Sequence, residues 1–225
     1  MGPPIYYINK NMKILNSLSV PFYEFFCDPN LLDEIIPLVK NLKYRHDPNE
    51  AEFSSHYFYY EPLINWFDDC LEEVRKLYYN DNIKLSVVNC WATKTNFLKK
   101  LHVHTHQQSL VGGILYLDTF TSGETIFYHS NPWHDYTTKN VVNLASKAKV
   151  METQLVTKIL PEKGKLILYP PQLRHGTLQN KEKNTRYSIA FDAYFSGKIT
   201  ENSHWPYVEI KTTSLKELAN KDVNS

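Results

Sequence analysis

The chain has 225 residues, enough for one filled hydrophobic core; 42% are hydrophobic and 22% are charged, as in an ordinary globular protein. A net charge of +1 gives no electrostatic reason to expect nucleic acid, and no apolar run is long enough to span a membrane. The first residues lack the pattern of a signal peptide. Cys27, Cys70 and Cys90 are odd in number and widely spaced, which favours a reducing, intracellular compartment over a disulfide framework.

Two amphipathic helices are predicted in the first third of the chain. Residues 27–42 begin with Asp28 as a capping residue and Pro29 in the first turn, and Pro37 is expected to kink this helix. Residues 61–81 carry a cleaner apolar stripe with helical spacing. We therefore assign residues 20–82 to a helical flank.

From residue 83 onward, short β-branched and aromatic segments alternate with polar turns. The predicted strands cover residues 83–95, 101–108, 110–120, 124–130, 153–161, 164–171, 174–179 and 185–195. Helices followed by antiparallel strands predict a mainly β fold with flanking helices, a double-stranded β-helix of the jelly-roll or cupin-like type. We expect one domain over residues 1–225, with the core at 83–196, a long loop at 131–153 and a peripheral tail at 197–225.

Three histidines alternate at the start of this core. If residues 101–108 form a strand, then His102, His104 and His106 share one face, because side chains two apart on a strand point the same way. The face is either a solvated polar surface or part of a metal site. A metal site needs a further ligand from elsewhere in the fold, and His175 is the best-placed downstream histidine.

Residues 175–188 are predicted to form a hairpin around a polar turn at 179–184. That pairing places His175 near Ser188 and Thr177 near Arg186, all on one face. An arginine that points inward from an apolar strand is costly unless an anion meets it. The anion is either a carboxylate of the same chain or a carboxylate ligand held by Arg186 and Ser188.

The stretches 89–132 and 164–195 resemble the Fe(II)/2-oxoglutarate-dependent oxygenases, more closely those of marine phages and bacteria within the prolyl-hydroxylase-like superfamily. The family pattern combines an Asn/Ser-x-Trp strand, H-x-H, S-G-x-x-Y, G-x-L-x-x-F-P-x-x-x-x-H and R-x-S-x-x-F. The resemblance covers residues 85–195, and the combined spacing is more specific than any single motif. It implies a dioxygenase that hydroxylates an unidentified protein side chain or small molecule and releases succinate and CO2.

The resemblance also implies which residues form the site. It carries the metal ligands and catalytic residues over to His104, His106 and His175, with Fe(II) as the metal, although the alternative pair of His102 and His104 stays open. The residues that would bind 2-oxoglutarate are Arg186, Ser188, Asn89 and Tyr116. Dioxygen is the other partner, and the expected location is the cytoplasm, or the host cytoplasm if a phage encodes the chain. A homo-oligomer stays open.

This chain departs from the family pattern at several positions. His106 stands where the usual facial triad has a carboxylate, so Asp118 or Glu124 is an alternative source of one. Gly112 replaces the serine of S-G, and Tyr169 replaces the phenylalanine before the proline. Two rival functions follow: a cupin-type metalloprotein that does not use 2-oxoglutarate, and a non-catalytic jelly-roll that binds a sugar or a protein. Substrate choice would fall to residues 119–153, with Trp133 and Tyr136, and to residues 56–66.

Overall fold

Two antiparallel sheets form the centre of the fold in a computed structural model that describes residues 13–17, 20–128, 156–199 and 208–222. The strands are β1 Lys13–Ser17, β2 Val20–Phe26, β3 Tyr44–Arg45, β4 Glu52–Ser54, β5 Ile83–Thr95, β6 Val111–Tyr116, β7 Thr125–Tyr128, β8 Val156–Ile159, β9 Lys165–Tyr169, β10 Arg174–Thr177, β11 Arg186–Lys198 and β12 Glu209–Ile210. The helices are α1 Pro29–Lys40, α2 Glu61–Tyr78 and α3 Leu215–Asp222. The mainly β class with flanking helices is confirmed.

The larger sheet has the strand order β1-β2-β9-β6-β11-β5-β4-β3, with β12 added to the end of β11. The smaller sheet has the order β10-β7-β8. Side chains from both sheets meet between them in a small apolar cluster of Phe22, Tyr116, Phe127, Ile159, Ile167 and Tyr169. This facing of two antiparallel sheets is the predicted jelly-roll architecture.

Both predicted helices are present. Asp28 caps α1 through a bond from the Asn30 amide to its carboxylate at 2.8 Å, and the helix continues through Pro37 to Lys40. The apolar face of α2 packs against the outer face of the larger sheet, where the Phe67 and Phe191 rings lie 4.3 Å apart between centroids. Burial of such large side chains provides the main hydrophobic stabilisation of the fold.

The first third of the chain holds more strand than the sequence analysis assigned to it. β2 pairs with β9 and so belongs to the larger sheet. Phe22 and Phe25 point to opposite faces of this strand, and both are buried, so the strand is covered on both sides. The segment assigned to a peripheral tail contributes Leu215 of α3, which is buried. The predicted loop at 131–153, with Trp133 and Tyr136, lies outside the described residues.

Within the described ranges, no helix combines the length and apolar character needed to cross a membrane. Cys27, Cys70 and Cys90 are buried free thiols. Burial raises the pKa of all three thiols above the ordinary value, which keeps them protonated and poor nucleophiles.

Candidate active site

His104, His106 and His175 converge at one end of the space between the sheets, and one ligand nitrogen from each lies within 4.8 Å of the others. The segment that carries the first two is not a regular strand, contrary to the prediction for residues 101–108. His104 forms an isolated bridge to His175, with backbone N–H···O distances of 2.8 and 2.9 Å. The His106 amide donates to the Pro171 carbonyl at 3.0 Å. Backbone bonds to β10 and its preceding turn therefore hold this irregular segment against the smaller sheet.

Each of the three imidazoles has its Nδ1 occupied by a hydrogen bond. His104 Nδ1 lies 2.9 Å from the His102 carbonyl, and His175 Nδ1 lies 2.7 Å from the Leu173 carbonyl. His106 Nδ1 lies 2.6 Å from a carboxylate oxygen of Asp192. Because a carbonyl oxygen only accepts, the Nδ1 atoms of His104 and His175 carry the proton, and their Nε2 atoms keep a lone pair.

The free nitrogens point at one another. His104 Nε2 and His106 Nε2 are 3.0 Å apart, so in the neutral Nδ1–H tautomers two lone pairs face each other without a proton between them. This contact is unfavourable unless a proton or a metal cation lies between the nitrogens. Burial lowers the pKa of His175 to about 4 and also lowers that of His104, so these rings stay neutral at pH 7, the form that binds metals. The donor set fits a divalent transition metal.

Asp192 on β11 is a residue of the site that the sequence analysis missed. A carboxylate behind a histidine fixes the tautomer and orientation of the ring and strengthens it as a metal ligand. The same strand face carries Arg186, Ser188 and Ala190, which line the cavity beside the histidines. Counting on by two from Arg186 and Ser188 would have placed Asp192 on that face.

Arg186 is buried with 3% of its surface exposed, and within the described part of the chain its Nε has no hydrogen-bond partner. One Nη donates to the Gly123 carbonyl, and the other lies 3.4 Å from Thr95 Oγ1. Gly123 has φ +72°, and a Cβ there would lie 2.8 Å from the guanidinium, so glycine suits this turn. Burial lowers the pKa of Arg186, and none of the described carboxylates forms an ion pair with it. The described residues therefore do not supply the anion expected beside Arg186, and a ligand carboxylate could supply it.

The predicted hairpin is wrong, but the four residues that it brought together, His175, Thr177, Arg186 and Ser188, all line one cavity. β10 pairs with β7 in the smaller sheet, whereas β11 lies between β5 and β6 in the larger sheet. Residues 179–184 therefore connect two facing sheets rather than two paired strands. The inner cavity lies between these sheets, and its histidine, hydroxyl-bearing and arginine residues are Thr93, His104, His106, Tyr116, Thr125, Tyr169, His175, Thr177, Arg186 and Ser188.

Tyr116 and Tyr169 both present hydroxyls to the inner cavity. Tyr116 donates to Thr125 Oγ1 at 2.7 Å, and burial raises its pKa to about 12. Tyr169 lies 3.1 Å from His175 Nε2, and burial raises its pKa well above the ordinary value. Both phenols are therefore neutral hydrogen-bond donors at physiological pH.

Other predicted residues lie elsewhere. Asn89 is exposed and lines a wider outer groove together with Trp91, whose ring lies 5.6 Å from that of His106. His102 is turned away to the Glu50 carboxylate, and its side chain is 57% exposed. Asp118 accepts from the Tyr187 amide at 3.0 Å.

Among the described residues, the three-histidine cluster includes neither His102 nor a carboxylate from Asp118 or Glu124. This arrangement favours the pair of His104 and His106 over the pair of His102 and His104.

Comparison with known families matches residues 89–192 to the model of a family described as "Putative 2OG-Fe(II) oxygenase". The matched region contains the three convergent histidines and Arg186. The match indicates an enzyme of the 2-oxoglutarate/Fe(II) oxygenase type. Comparison with curated protein sequences gives no match.

Solved structures of such enzymes share the fold. A 2OG-Fe(II) oxygenase family oxidoreductase from Burkholderia pseudomallei has a TM-score of 0.55 at 12% identity, covering 76% of this chain and 83% of that one. A Pseudomonas putida prolyl-4-hydroxylase has a TM-score of 0.55 at 9% identity, covering 77% and 92%. HygX from Streptomyces hygroscopicus, solved with nickel, 2-oxoglutarate and hygromycin B, has a TM-score of 0.53 at 15% identity, covering 77% and 82%. At these identities the likeness concerns the fold, which is the double-stranded β-helix.

Proposed function

For this chain of the 2-oxoglutarate/Fe(II) oxygenase type, we propose that His104, His106 and His175 bind Fe(II) and that Arg186 and Ser188 bind 2-oxoglutarate. The reaction is the dioxygen-dependent hydroxylation of an unidentified substrate, with release of succinate and CO2. The relation to the marine phage and bacterial members rests on the sequence motifs alone. HygX supports the cofactor assignment by analogy, since its structure contains nickel and 2-oxoglutarate.

One observation carries the proposal: the three convergent imidazoles share the inner cavity with a buried arginine whose Nε has no hydrogen-bond partner among the described residues. 2-Oxoglutarate is a dianion with a keto acid at one end and a carboxylate at the other. Its keto-acid end suits a metal held by nitrogen ligands, and its distal carboxylate suits a guanidinium and a neighbouring hydroxyl. The formal charges of the site also sum to zero, because a divalent metal and the Arg186 guanidinium together match the 2-oxoglutarate dianion and the Asp192 carboxylate.

In this proposal the protein's own residues bind and orient the metal and 2-oxoglutarate, and they exclude water from the cavity. Iron supplies the activation of dioxygen when it is bound. Asp192 fixes the orientation of the His106 ring through its Nδ1, and the carbonyls of His102 and Leu173 fix the orientations of the His104 and His175 rings in the same way. Tyr116 and Ile114 close the inner cavity from the sheet side, which keeps the electrostatic interactions in a low-dielectric environment.

The outer groove is the proposed substrate site. It opens on the far side of His104 and His106, and Asn89, Trp91 and Arg45 line it. Asn89 therefore belongs to the substrate side in this proposal, rather than to the distal carboxylate of 2-oxoglutarate. Tyr57 lines the same groove, as expected if residues 56–66 take part in substrate choice.

The test is an anaerobic titration of metal-free protein with Fe(II) and then 2-oxoglutarate, followed by visible absorption. A keto acid chelated to Fe(II) gives a metal-to-ligand charge-transfer band, and we expect this band to saturate at one equivalent. His106→Ala should abolish the band by removing a metal ligand, and Arg186→Ala should raise the 2-oxoglutarate concentration required. His102→Ala is the matched control, since His102 lies beside the cluster but faces Glu50.

The same titration separates the rival functions. Iron binding without a charge-transfer band would support a cupin-type metalloprotein and contradict the keto-acid site. Absence of metal binding would support a jelly-roll binding module. No feature of the described site favours either alternative over the oxygenase.

A further inference from the structure

Tyr169 is a polar residue at the metal end of the inner cavity, and the proposed ligand set does not use it. Its ring is 3% exposed, and its hydroxyl lies 3.1 Å from His175 Nε2. His175 Nδ1 is bonded to the Leu173 carbonyl, so Nε2 is the acceptor and the tyrosine hydroxyl is the donor. Within the described ranges this is the hydrogen bond that satisfies the Tyr169 hydroxyl.

A metal and this hydroxyl compete for the same lone pair. When His175 Nε2 binds a metal, it no longer accepts a hydrogen bond, and the Tyr169 hydroxyl is left without its partner. A buried hydroxyl without a partner is costly, so it needs a new acceptor close to its present position. The imidazoles of His104 and His106 are unsuitable acceptors, because their Nε2 atoms belong to the same metal cluster.

The backbone opposite Tyr169 is built to accommodate the hydroxyl. Gly112 pairs with Tyr169 across β6 and β9. A Cβ at Gly112 would lie 2.7 Å from Tyr169 Cζ and 3.0 Å from its hydroxyl oxygen, closer than side-chain atoms pack. A residue larger than glycine at this position would displace the ring and redirect its hydroxyl. Gly112 and Tyr169 therefore act as a pair.

We propose that Tyr169 is a positioning residue whose hydroxyl, once a metal occupies His175 Nε2, donates a hydrogen bond to the metal-side carboxylate of 2-oxoglutarate. The inference rests on the proposed function, and it adds a contact at the end of the keto acid opposite Arg186. A carboxylate is a strong acceptor, and a bond to a charged group is stronger than one between neutral groups. The contact would orient the keto acid without contributing a metal ligand.

The experiment measures metal and keto-acid binding separately in wild type and Tyr169→Phe. Zn2+ affinity is measured by competition with a chelator, and 2-oxoglutarate affinity by the charge-transfer band of the Fe(II)-loaded protein under anaerobic conditions. We expect the Zn2+ affinity of Tyr169→Phe to equal that of wild type or exceed it by up to about tenfold, because the hydroxyl that competes for His175 Nε2 is gone, while its 2-oxoglutarate Kd rises about tenfold. Tyr23→Phe is the matched control, because it removes the partly buried hydroxyl of another tyrosine, which lies 2.5 Å from Tyr78 Oη and away from the cavity.

Gly112→Ala gives a second, independent test. The added methyl group should displace the Tyr169 ring and its hydroxyl and raise the 2-oxoglutarate Kd. In the Tyr169→Phe background the ring is still displaced but no hydroxyl is left to redirect, so the further rise in Kd should be smaller than the rise that Gly112→Ala causes in wild type. This non-additivity is the signature of two residues acting through one contact. Circular dichroism and the Zn2+ affinity show whether each variant keeps the fold and the metal site.

Two results would overturn the inference. An unchanged 2-oxoglutarate Kd in Tyr169→Phe would mean that the tyrosine only packs in the cavity. A loss of Zn2+ affinity of tenfold or more would mean that the phenol binds the metal itself. If wild type binds metal but not 2-oxoglutarate, the proposed function fails instead, and that outcome is visible before any variant is made.

Discussion

The two ends of the inner cavity are built in opposite ways. At the metal end, His104, His106 and His175 each have an acceptor at Nδ1, so the ring orientations are set before a ligand arrives. At the proposed carboxylate end, Arg186 is buried, and among the described residues its Nε has no hydrogen-bond partner. The metal end is thus preorganised by hydrogen bonds, whereas the carboxylate end keeps an electrostatic cost that a ligand would relieve.

The largest effect should come from removing a ligand at the metal end. His175→Ala deletes one of the three converging nitrogens, and we expect Zn2+ affinity to fall by more than about a hundredfold, beyond the loss typical of a supporting residue. His102→Ala should bind Zn2+ like wild type, because that side chain is 57% exposed and faces Glu50. Chelator competition measures both. Equal losses in the two variants would refute the assignment of His104 and His106 over His102 and His104.

The two ends should also differ in their response to pH. Burial lowers the pKa of His175 to about 4, so between its ordinary value of 6.5 and pH 4 the unfolded chain binds a proton that the folded, metal-free protein does not. The free energy of unfolding is therefore greatest above pH 6.5 and decreases as the pH falls through this window, by about 3 kcal/mol from this residue. His104 acts in the same direction.

Urea unfolding of metal-free wild type and His175→Gln across this window tests the difference. The variant should show a shallower decrease in stability with falling pH. Arg186 should contribute nothing to it, since an arginine does not titrate there. An identical slope in the two proteins would show that His175 is not the group responsible.

A third prediction concerns the cost stored at the carboxylate end. Arg186→Met replaces a buried, incompletely bonded cation by an apolar side chain, and we expect the ligand-free protein to gain about 1–3 kcal/mol in unfolding free energy. The same variant should lose about a hundredfold in 2-oxoglutarate affinity and the thermal stabilisation that the ligand provides. Thermal melts with and without 2-oxoglutarate measure both effects. A destabilised ligand-free variant would contradict the view that this end is incomplete.

The sequence predicted the local features well because they depend on neighbouring residues. The capping by Asp28 and the apolar spacing of 61–81 determine where α1 and α2 form. The pairing of β10 was predicted wrongly, since polar turn residues at 179–184 suit a hairpin and a crossing between sheets equally. Strand pairing depends on contacts distant in the chain, which local patterns do not report.

The candidate site was predictable where spacing on one strand decides it. Arg186 and Ser188 share a face of β11, and the same period extends to Asp192, whose role nevertheless depends on a partner 86 positions away. Periodicity shows which side chains share a face, but not which histidine meets them. Tyr169 is similar: its contact with His175 appears only when β9 and β10 lie in facing sheets.

The smallest effect should come from the residue that supports the metal end without binding the metal. Asp192→Asn keeps an oxygen that accepts from His106 Nδ1 but removes the carboxylate charge. We expect Zn2+ affinity to fall about tenfold, at the lower end of the range for residues behind a metal ligand. Because Asp192 lies at the metal end, the 2-oxoglutarate Kd of the metal-saturated variant should change by less than that of Arg186→Met. Isothermal titration of each ligand separates the two effects; if Asp192→Asn weakened 2-oxoglutarate more than metal, the division of the cavity into two independently built ends would be wrong.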